Sequence, residues 1–331
     1  MKVSVFAPIS VGNVGVGFDS LGLALEPIHG EPFGDVVHVD DSPSGQDQFT
    51  LAGSHAHYLP SEKEKNIVWF VLQQFKQALS KRQINAKHCS ITLEKNIPVS
   101  SGLGSSACSV VAAFVALNNW YQKPFNEHQL LYIMGQAEAE ISGSLHYDNV
   151  APCYLGGMQL MLPAGESVTQ TLPNLVGVYW VIAYPDVVVS TQAARALLPD
   201  EIERATAIQF AQHLAGFVDA CHRGDKNSAF ALMKDVIAEP HRESMIPKYK
   251  ESKAQLLAMG SLSVGISGSG PTLFSVCDDL EKAKAQADWL AANYLNKRGS
   301  SKGGGFVSIC QADVRGARQL KQQDAQSGEA K

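Results

Sequence analysis

Apolar and polar residues alternate from the start of the chain, where Val3-Ser4-Val5-Phe6-Ala7 predicts a strand. Residues 21–25, 36–39 and 49–51 read as further strands, the last two separated by an Asp/Ser/Pro/Gly turn. The period then changes to that of a helix. Val68, Val71, Leu72, Phe75 and Leu79 make one apolar stripe over residues 66–79, in which Trp69 reads as core rather than as a base-stacking platform. Residues 91–93 return to strand, and 105–119 are apolar almost all round, as a buried helix is. A helix over 127–140 sets Leu130, Leu131, Met134 and Ala137 on one face and ends in the polar, helix-breaking stretch 141–152. Strands are predicted at 154–162 and 176–184. The polar, proline-containing segment between them, 163–175, is the predicted boundary between a domain of residues 1–165 and a second of 166–314. In the second domain, helices near 191–198, 201–222, 225–238, 247–259 and 280–296 alternate with strands at 263–266, 272–277 and 306–310. Residues 315–331 are polar and predict a frayed tail.

Composition narrows the classes open to such a chain. Its 331 residues, 45% hydrophobic, suffice for a large core and suggest two domains. No run of about 18 apolar residues marks a membrane span. The first residues lack the charged, apolar and cleavage regions of a signal peptide, so a cytoplasmic protein is expected, with no membrane partner. A net charge of −5 with scattered Lys and Arg excludes the basic stripe of a nucleic-acid binder. The six cysteines are far apart, without C-x-x-C pairs or zinc-type spacing, and read as reduced core residues. Cys108 differs in following a glycine loop at a helix start, where a thiol can acquire a lowered pKa.

The candidate chemistry lies in glycine-rich segments. Pro98-Val99-Ser100-Ser101-Gly102-Leu103-Gly104-Ser105-Ser106-Ala107 joins a strand to the buried helix. A helix start carries unpaired N–H groups and the positive end of the dipole, and glycine lets an anion approach the backbone, so this segment reads as a phosphate cradle. Ser105 and Ser106 can cap the helix, bind phosphate or ligate a metal; the plainer alternative is a Gly/Ser turn ahead of a core helix. Near the N-terminus, Gly12-x-x-Gly15-x-Gly17 has the wrong spacing for a dinucleotide fingerprint. It leaves Asn13 and Asp19 either as substrate contacts or as turn residues bonding their own backbone. Glu138 and Glu140 sit at a helix C-terminus, where the dipole disfavours acids, so function and simple solvation both remain open there. A third segment, Ser267-Gly268-Ser269-Gly270-Pro271, lies between two predicted strands.

Together the three segments resemble the signature motifs of the GHMP kinase superfamily, whose central P-x-x-x-G-L-G-S-S-A loop is matched without departure by residues 98–107. The resemblance extends over about residues 3–310. Within the superfamily four further features resemble the homoserine kinase family. They are Asn13 with Asp19, His146-Tyr147-Asp148-Asn149-Val150-Ala151-Pro152, Ser190-Thr191-Gln192-Ala193-Ala194-Arg195 and Glu239-Pro240-His241-Arg242. The resemblance implies an α+β, two-domain fold: an N-terminal ribosomal protein S5 domain 2-like nucleotide-binding domain and a C-terminal ferredoxin-like domain. It also implies transfer of phosphate from ATP to L-homoserine, a step toward threonine, and a homodimer. By the same resemblance ATP lies against Asn66, Val68, Pro98, Ser101, Gly102, Leu103, Gly104, Ser105, Ser106 and Ala107, with Mg²⁺ on Ser106 and Glu138. Asn13, Asp19, His146, Asn149, Arg195, Arg242 and Gly268 form the homoserine site.

The residue types suit such a substrate. Arg195 and Arg242 offer forks for a carboxylate, and Asp19 an anion for an ammonium. Lacking the lysine of G-x-x-x-x-G-K-[ST], the loop is not a Walker loop. An amide is no base, so Asn13 and Asn149 orient the acceptor hydroxyl and its proton passes to the γ-phosphate, with Asp148 as the alternative base. Two other readings compete: a superfamily kinase for another alcohol, and a nucleotide-binding sensor that has lost catalysis.

Overall fold

The computed structural model describes residues 2–60, 62–142, 145–163, 167–295 and 305–321. Strands β1 (Val3–Gly12), β2 (Leu21–Pro27), β3 (Gly34–Asp41) and β4 (Gln48–Ala52) come first, then helix α1 (Ile67–Lys81), β5 (Cys89–Glu94) and α2 (Ser105–Trp120). Helices α3 (Glu127–Ser142) and α4 (Val150–Leu155) lead into β6 (Met158–Met161), β7 (Thr169–Leu172) and β8 (Tyr179–Tyr184). The chain continues through α5 (Thr191–Ala196), α6 (Arg204–Arg223), α7 (Lys226–Leu232), α8 (Glu239–Arg242) and α9 (Tyr249–Ala258). Strands β9 (Ser263–Ile266) and β10 (Leu273–Cys277), helix α10 (Leu280–Asn293), β11 (Phe306–Ala312) and β12 (Arg318–Gln319) complete it.

The strands run in the order β4-β5-β3-β1-β2-β11-β8-β10-β9, with β6 on β2, β7 on β6 and β12 on β1. Only β4 with β5 is parallel among these pairs. β1 is the hinge of the arrangement. Its ten residues are all buried; Val3–Pro8 pair with β3, and Ile9–Gly12 pair with β2. Helix α2 lies against β1 and β3, which explains its lack of a polar face.

Two cores share β8 and β10 between them. Because side chains alternate across a strand, Trp180 and Ile182 join the larger core with Phe274 and Val276, while Val181 and Ala183 join Leu273 and Cys277 in the smaller one. The result is an α+β architecture of mixed content around an open mixed sheet, as the resemblance implies. No helix among the described residues is long and apolar enough to cross a membrane.

Several expected elements are corrected. β1 runs on to Gly12, past the Val3–Ala7 stretch that predicts it. The predicted strand at 154–162 begins only at Met158, because Val150–Leu155 is a short buried helix closed by Gly156 and Gly157, both at positive φ. The boundary segment holds strand β7. The helix expected over 225–238 stops at Leu232, and Asp235 takes over, its side chain accepting from the N–H groups of Ile237 and Ala238 at 2.9 and 2.7 Å. The expected tail is not frayed at its start: Arg318 and Gln319 pair with Phe6 and Val5, and Arg318 bonds buried Asp313 at 2.7 Å. The remainder of that tail, 322–331, lies outside the described residues, and the helix expected at 280–296 ends at Asn293.

A buried ion pair anchors the loop ahead of α2. Lys95 Nζ donates to Asp35 Oδ2 at 2.5 Å, to the Ser105 carbonyl at 2.7 Å and to Ser109 Oγ at 3.2 Å. Asp35, wholly buried on β3, also accepts from the N–H groups of Asn96 and Ile97 and from Ser109 Oγ. Strand, loop and helix start are thus joined by charge-assisted bonds. Lys95→Met leaves the carboxylate buried without its cation and is expected to lower the unfolding free energy by about 3–5 kcal/mol, read from urea midpoints. The same change at exposed Lys284, paired with Glu281, should leave the midpoint where it is.

Candidate active site

Helix α2 starts without a side-chain cap. Gly104, at φ 64°, is the N-cap, and the first intrahelical bond is from the Cys108 N–H to the Gly104 carbonyl. The N–H groups of Ser105, Ser106 and Ala107 precede that bond and have no acceptor within the helix. The loop's carbonyls, in contrast, are engaged from two sides. Leu103 O accepts from the Ser10 N–H at 3.2 Å, Gly102 O from Ser267 Oγ at 2.6 Å, and Ser101 O from the Thr272 N–H and hydroxyl at 3.2 and 2.7 Å. The Gly268 N–H closes the circuit on the Gly12 carbonyl at 3.1 Å. The three glycine segments of the sequence therefore meet at one loop. A Cβ on Gly102 would lie 2.5 Å from the Ser267 carbonyl, and one on Gly104 would lie 2.2 Å from Ser10 Oγ, so neither position has room for a side chain.

The loop forms one wall of a cavity of about 540 Å³. Asn66, Ser101, Gly102, Gly104, Ser105 and Ser106 line it. Pro98, Leu103, Ala107 and Val68 are buried and do not belong to the lining. Val68 contributes its N–H instead, donated to Asn66 Oδ1 at 2.9 Å as the cap of α1. That bond leaves the buried Asn66 Nδ2 without a partner among the described residues, and the buried Ser101 Oγ is in the same condition.

Opposite the helix start, Ser106 Oγ donates to Glu138 Oε1 at 2.5 Å. Glu138 is 8% exposed, and burial lifts its carboxyl to about 7 against the pull of the Ser106 bond. Glu140, by contrast, is exposed. A serine hydroxyl and a carboxylate at one point, both hard oxygen donors beside a phosphate-type loop, fit a Mg²⁺ ion, whose charge would favour the ionised form of the buried acid. Cys108 does not carry a reactive thiolate. Its side chain is buried, it donates to the Pro8 carbonyl, and burial pushes the thiol well above its ordinary range. All six cysteines are buried and free, as expected for core residues.

The remaining expected residues gather on the other wall. Asn13 and Asp19 both take left-handed backbone, at φ 68° and 52°. Asn13 Oδ1 accepts the Asp19 N–H at 3.0 Å and its Nδ2 donates to the Gly268 carbonyl at 3.3 Å. So the turn bonding open from sequence is present, and the same residues line the cavity. Arg195 meets Asp19 through both nitrogens, at 3.0 and 2.9 Å; the anion and cation assigned to opposite ends of one ligand are paired with each other here. Arg242, 4% exposed, donates to the carbonyls of Gly268 and Ala194 at 3.0 and 3.2 Å, so it joins the third glycine segment to α5. Asn149 is held at both ends of its amide, accepting from Ser10 Oγ at 2.9 Å and donating to Asp148 Oδ2 at 3.2 Å. Burial raises Asp148 to about 6, with His146 pulling it down and Asp19 adding to the rise. The buried Nδ1 of His146 has no partner among the described residues.

Sequence reasoning missed Ser10, Phe18 and the Asp35–Lys95 pair. Lys95 stands three residues ahead of Pro98, where a lysine among polar neighbours reads as surface; only the fold sets it against Asp35.

Residues 66–157 match the family model described as the GHMP kinases N terminal domain, and residues 217–296 match GHMP kinases C terminal. The crystal structure of homoserine kinase from Cytophaga hutchinsonii is 30% identical and has a TM-score of 0.84, over 96% of this chain and 97% of its own. Mevalonate kinase from Methanococcus jannaschii, 14% identical with a TM-score of 0.67 over 94% and 98%, shares the fold. So does phosphomevalonate kinase from Streptococcus pneumoniae, 11% identical with a TM-score of 0.68 over 97% and 99%. With both family models met in order, and 30% identity held over nearly the whole of two chains, this protein belongs to the GHMP kinase family.

Proposed function

We propose that this chain is a homoserine kinase, transferring the γ-phosphoryl group of ATP to the hydroxyl of L-homoserine to give O-phospho-L-homoserine on the way to threonine. One observation carries the reading: a helix start with free donors and a set of paired opposite charges face the same cavity. Phosphoryl transfer is mostly positioning and charge neutralisation, and the first wall supplies both to a triphosphate. Asn66 Nδ2 and Ser101 Oγ are buried donors that ATP can satisfy. Ser106 and Glu138 would hold Mg²⁺, which supplies neutralisation of the phosphates.

The second wall suits a zwitterion. Asp19 and Arg195 already neutralise each other, so a ligand bringing both an ammonium and a carboxylate exchanges one ion pair for two without leaving a charge unpaired. A ligand with a single charge does not. Arg242 adds a second guanidinium for the carboxylate. Mevalonate and galactose, which lack the ammonium, do not complete this exchange.

The acceptor hydroxyl is oriented by the amide N–H groups that Asn13 and Asn149 have left over, and the proton passes to the γ-phosphate. Asn149 cannot receive it, because its oxygen is occupied by Ser10 and an amide is too weak a base. Asp148 is the second reading, favoured by its rise to about 6 in the same cavity.

ADP release with Mg-ATP should depend on L-homoserine and be absent with mevalonate, galactose and L-serine; no homoserine-dependent turnover sinks the assignment. Arg242→Lys keeps the charge but loses the fork, and should raise the homoserine KM about 10- to 100-fold with a smaller change in the ATP KM. If Asp148→Asn abolishes turnover while folding and substrate binding persist, the proton goes to Asp148. Glu138 gives a pH signature. Its folded carboxyl titrates near 7 against an ordinary 4.5, so the folded state holds the extra proton between these values and stability falls as pH rises through them. Glu138→Gln removes this dependence, so relative to wild type the variant should gain on the order of 3 kcal/mol between pH 4.5 and 8 in urea unfolding without nucleotide.

A further inference from the structure

Two guanidinium groups of like charge converge on one side of the cavity, and nothing in the sequence says what keeps them there. Arg195 is fixed at its edge by Asp19, and Arg242 by two backbone carbonyls. Each is also placed over the same aromatic ring. The Arg195 Cζ lies 5.8 Å and the Arg242 Cζ 5.5 Å from the centroid of Phe18. Both are within the reach of a cation–π interaction.

We propose that Phe18 is a positioning residue for the acceptor carboxylate: its ring holds the faces of Arg195 and Arg242, so that the N–H donors not taken by Asp19 or by the Gly268 and Ala194 carbonyls are aimed at the ligand. This rests on the reading of the second wall as the site of an amino-acid zwitterion. Guanidinium faces are weakly hydrated and stack on aromatic rings, whereas the N–H donors lie in the plane and make the bonds to carboxylates. A ring shared by two such groups therefore constrains where both forks point without consuming a donor. The backbone that carries the ring is itself held. The Gly17 N–H bonds the Asn13 carbonyl at 2.8 Å, the Asp19 N–H bonds Asn13 Oδ1, and the Phe18 carbonyl accepts from Ser20 Oγ at 3.1 Å. Phe18 also lines the cavity, beside Asp19 and both arginines. Burial lowers the pKa of Arg242 and repulsion from Arg195 adds a smaller share; that like-charge repulsion is what such a shared contact has to offset.

Phe18→Leu keeps an apolar group of similar reach and removes the π face; Phe18→Tyr keeps the face. Steady-state kinetics should show the homoserine KM raised about tenfold in Phe18→Leu, with kcat and the ATP KM changed less than about twofold, and the homoserine KM restored in Phe18→Tyr. A homoserine KM unchanged in Phe18→Leu overturns the proposal, as does a fall in kcat together with a rise in both KM values, which a merely structural role would give. Equal losses in the Leu and Tyr variants also overturn it. If wild type does not turn over homoserine, the function reading has failed, and calorimetric titration with malonate decides the positioning role separately. Weaker malonate binding in Phe18→Leu than in wild type and Phe18→Tyr supports it; equal binding, or none by wild type, overturns it.

Discussion

A loop that cradles an anion must turn its N–H groups outward, and its carbonyls must then find donors elsewhere. In this protein that requirement organises the molecule. The carbonyls of Ser101, Gly102 and Leu103 are met by Thr272, Ser267 and Ser10, residues from the last and first glycine segments. Below the loop, Lys95 and Asp35 tie the helix start to β3. The glycines follow from the same constraint, because backbones brought this close leave no room for a Cβ at Gly102 or Gly104. The long strand β1 serves it too: its C-terminal half delivers Ser10 and Gly12 to the loop while its N-terminal half pairs with the strand that carries Asp35.

A second balance concerns charge. Around one cavity stand Asp19, Glu138 and Asp148 with Arg195 and Arg242, several of them poorly exposed. Charges so placed are tolerated when paired or when the acid keeps its proton. Both solutions occur. Asp19 pairs with Arg195, whereas burial holds Glu138 and Asp148 partly protonated near neutrality. Ligands that preserve such pairing are the ones the proposed function calls for: a cation beside Glu138 together with phosphate, and a zwitterion at Asp19 and the arginines.

The parts legible in the sequence are those whose physics is local. Glycine spacing, the apolar periods of α1 and α2 and the density of polar residues at 146–152 are each visible within a few residues. The gathering of Asn13, Asp19, Glu138, Asn149, Arg195 and Arg242 around one cavity was expected from the family resemblance, and the fold supplies the meeting. What local pattern hides is partnership. A lysine at 95 reads as surface until Asp35 is brought against it by β3, and the polar segment at 315–321 reads as tail until Arg318 finds Asp313. The strand predicted from 154 failed for a related reason: apolar residues 150–155 suit a short buried helix as well as a strand, and only the two glycines that follow decide where the strand begins.

The same distinction separates Asn149 from Asp148. Residue type alone removes the asparagine as a base, but it says nothing of the aspartate beside it, whose ordinary pKa would leave it ionised and weakly basic. Its environment changes that. Asp148 is 4% exposed, its carboxylate is packed where a Cβ on Gly12 would meet it at 2.6 Å, and its carbonyl occupies the space left by Gly22. Burial raises its proton affinity toward neutrality, and Asn149 Nδ2 on Oδ2 fixes the carboxylate beside that amide. Glycines at positions 12 and 22 therefore do more than permit turns: by admitting Asp148 they allow the burial that raises its basicity, beside the amide proposed to orient the acceptor.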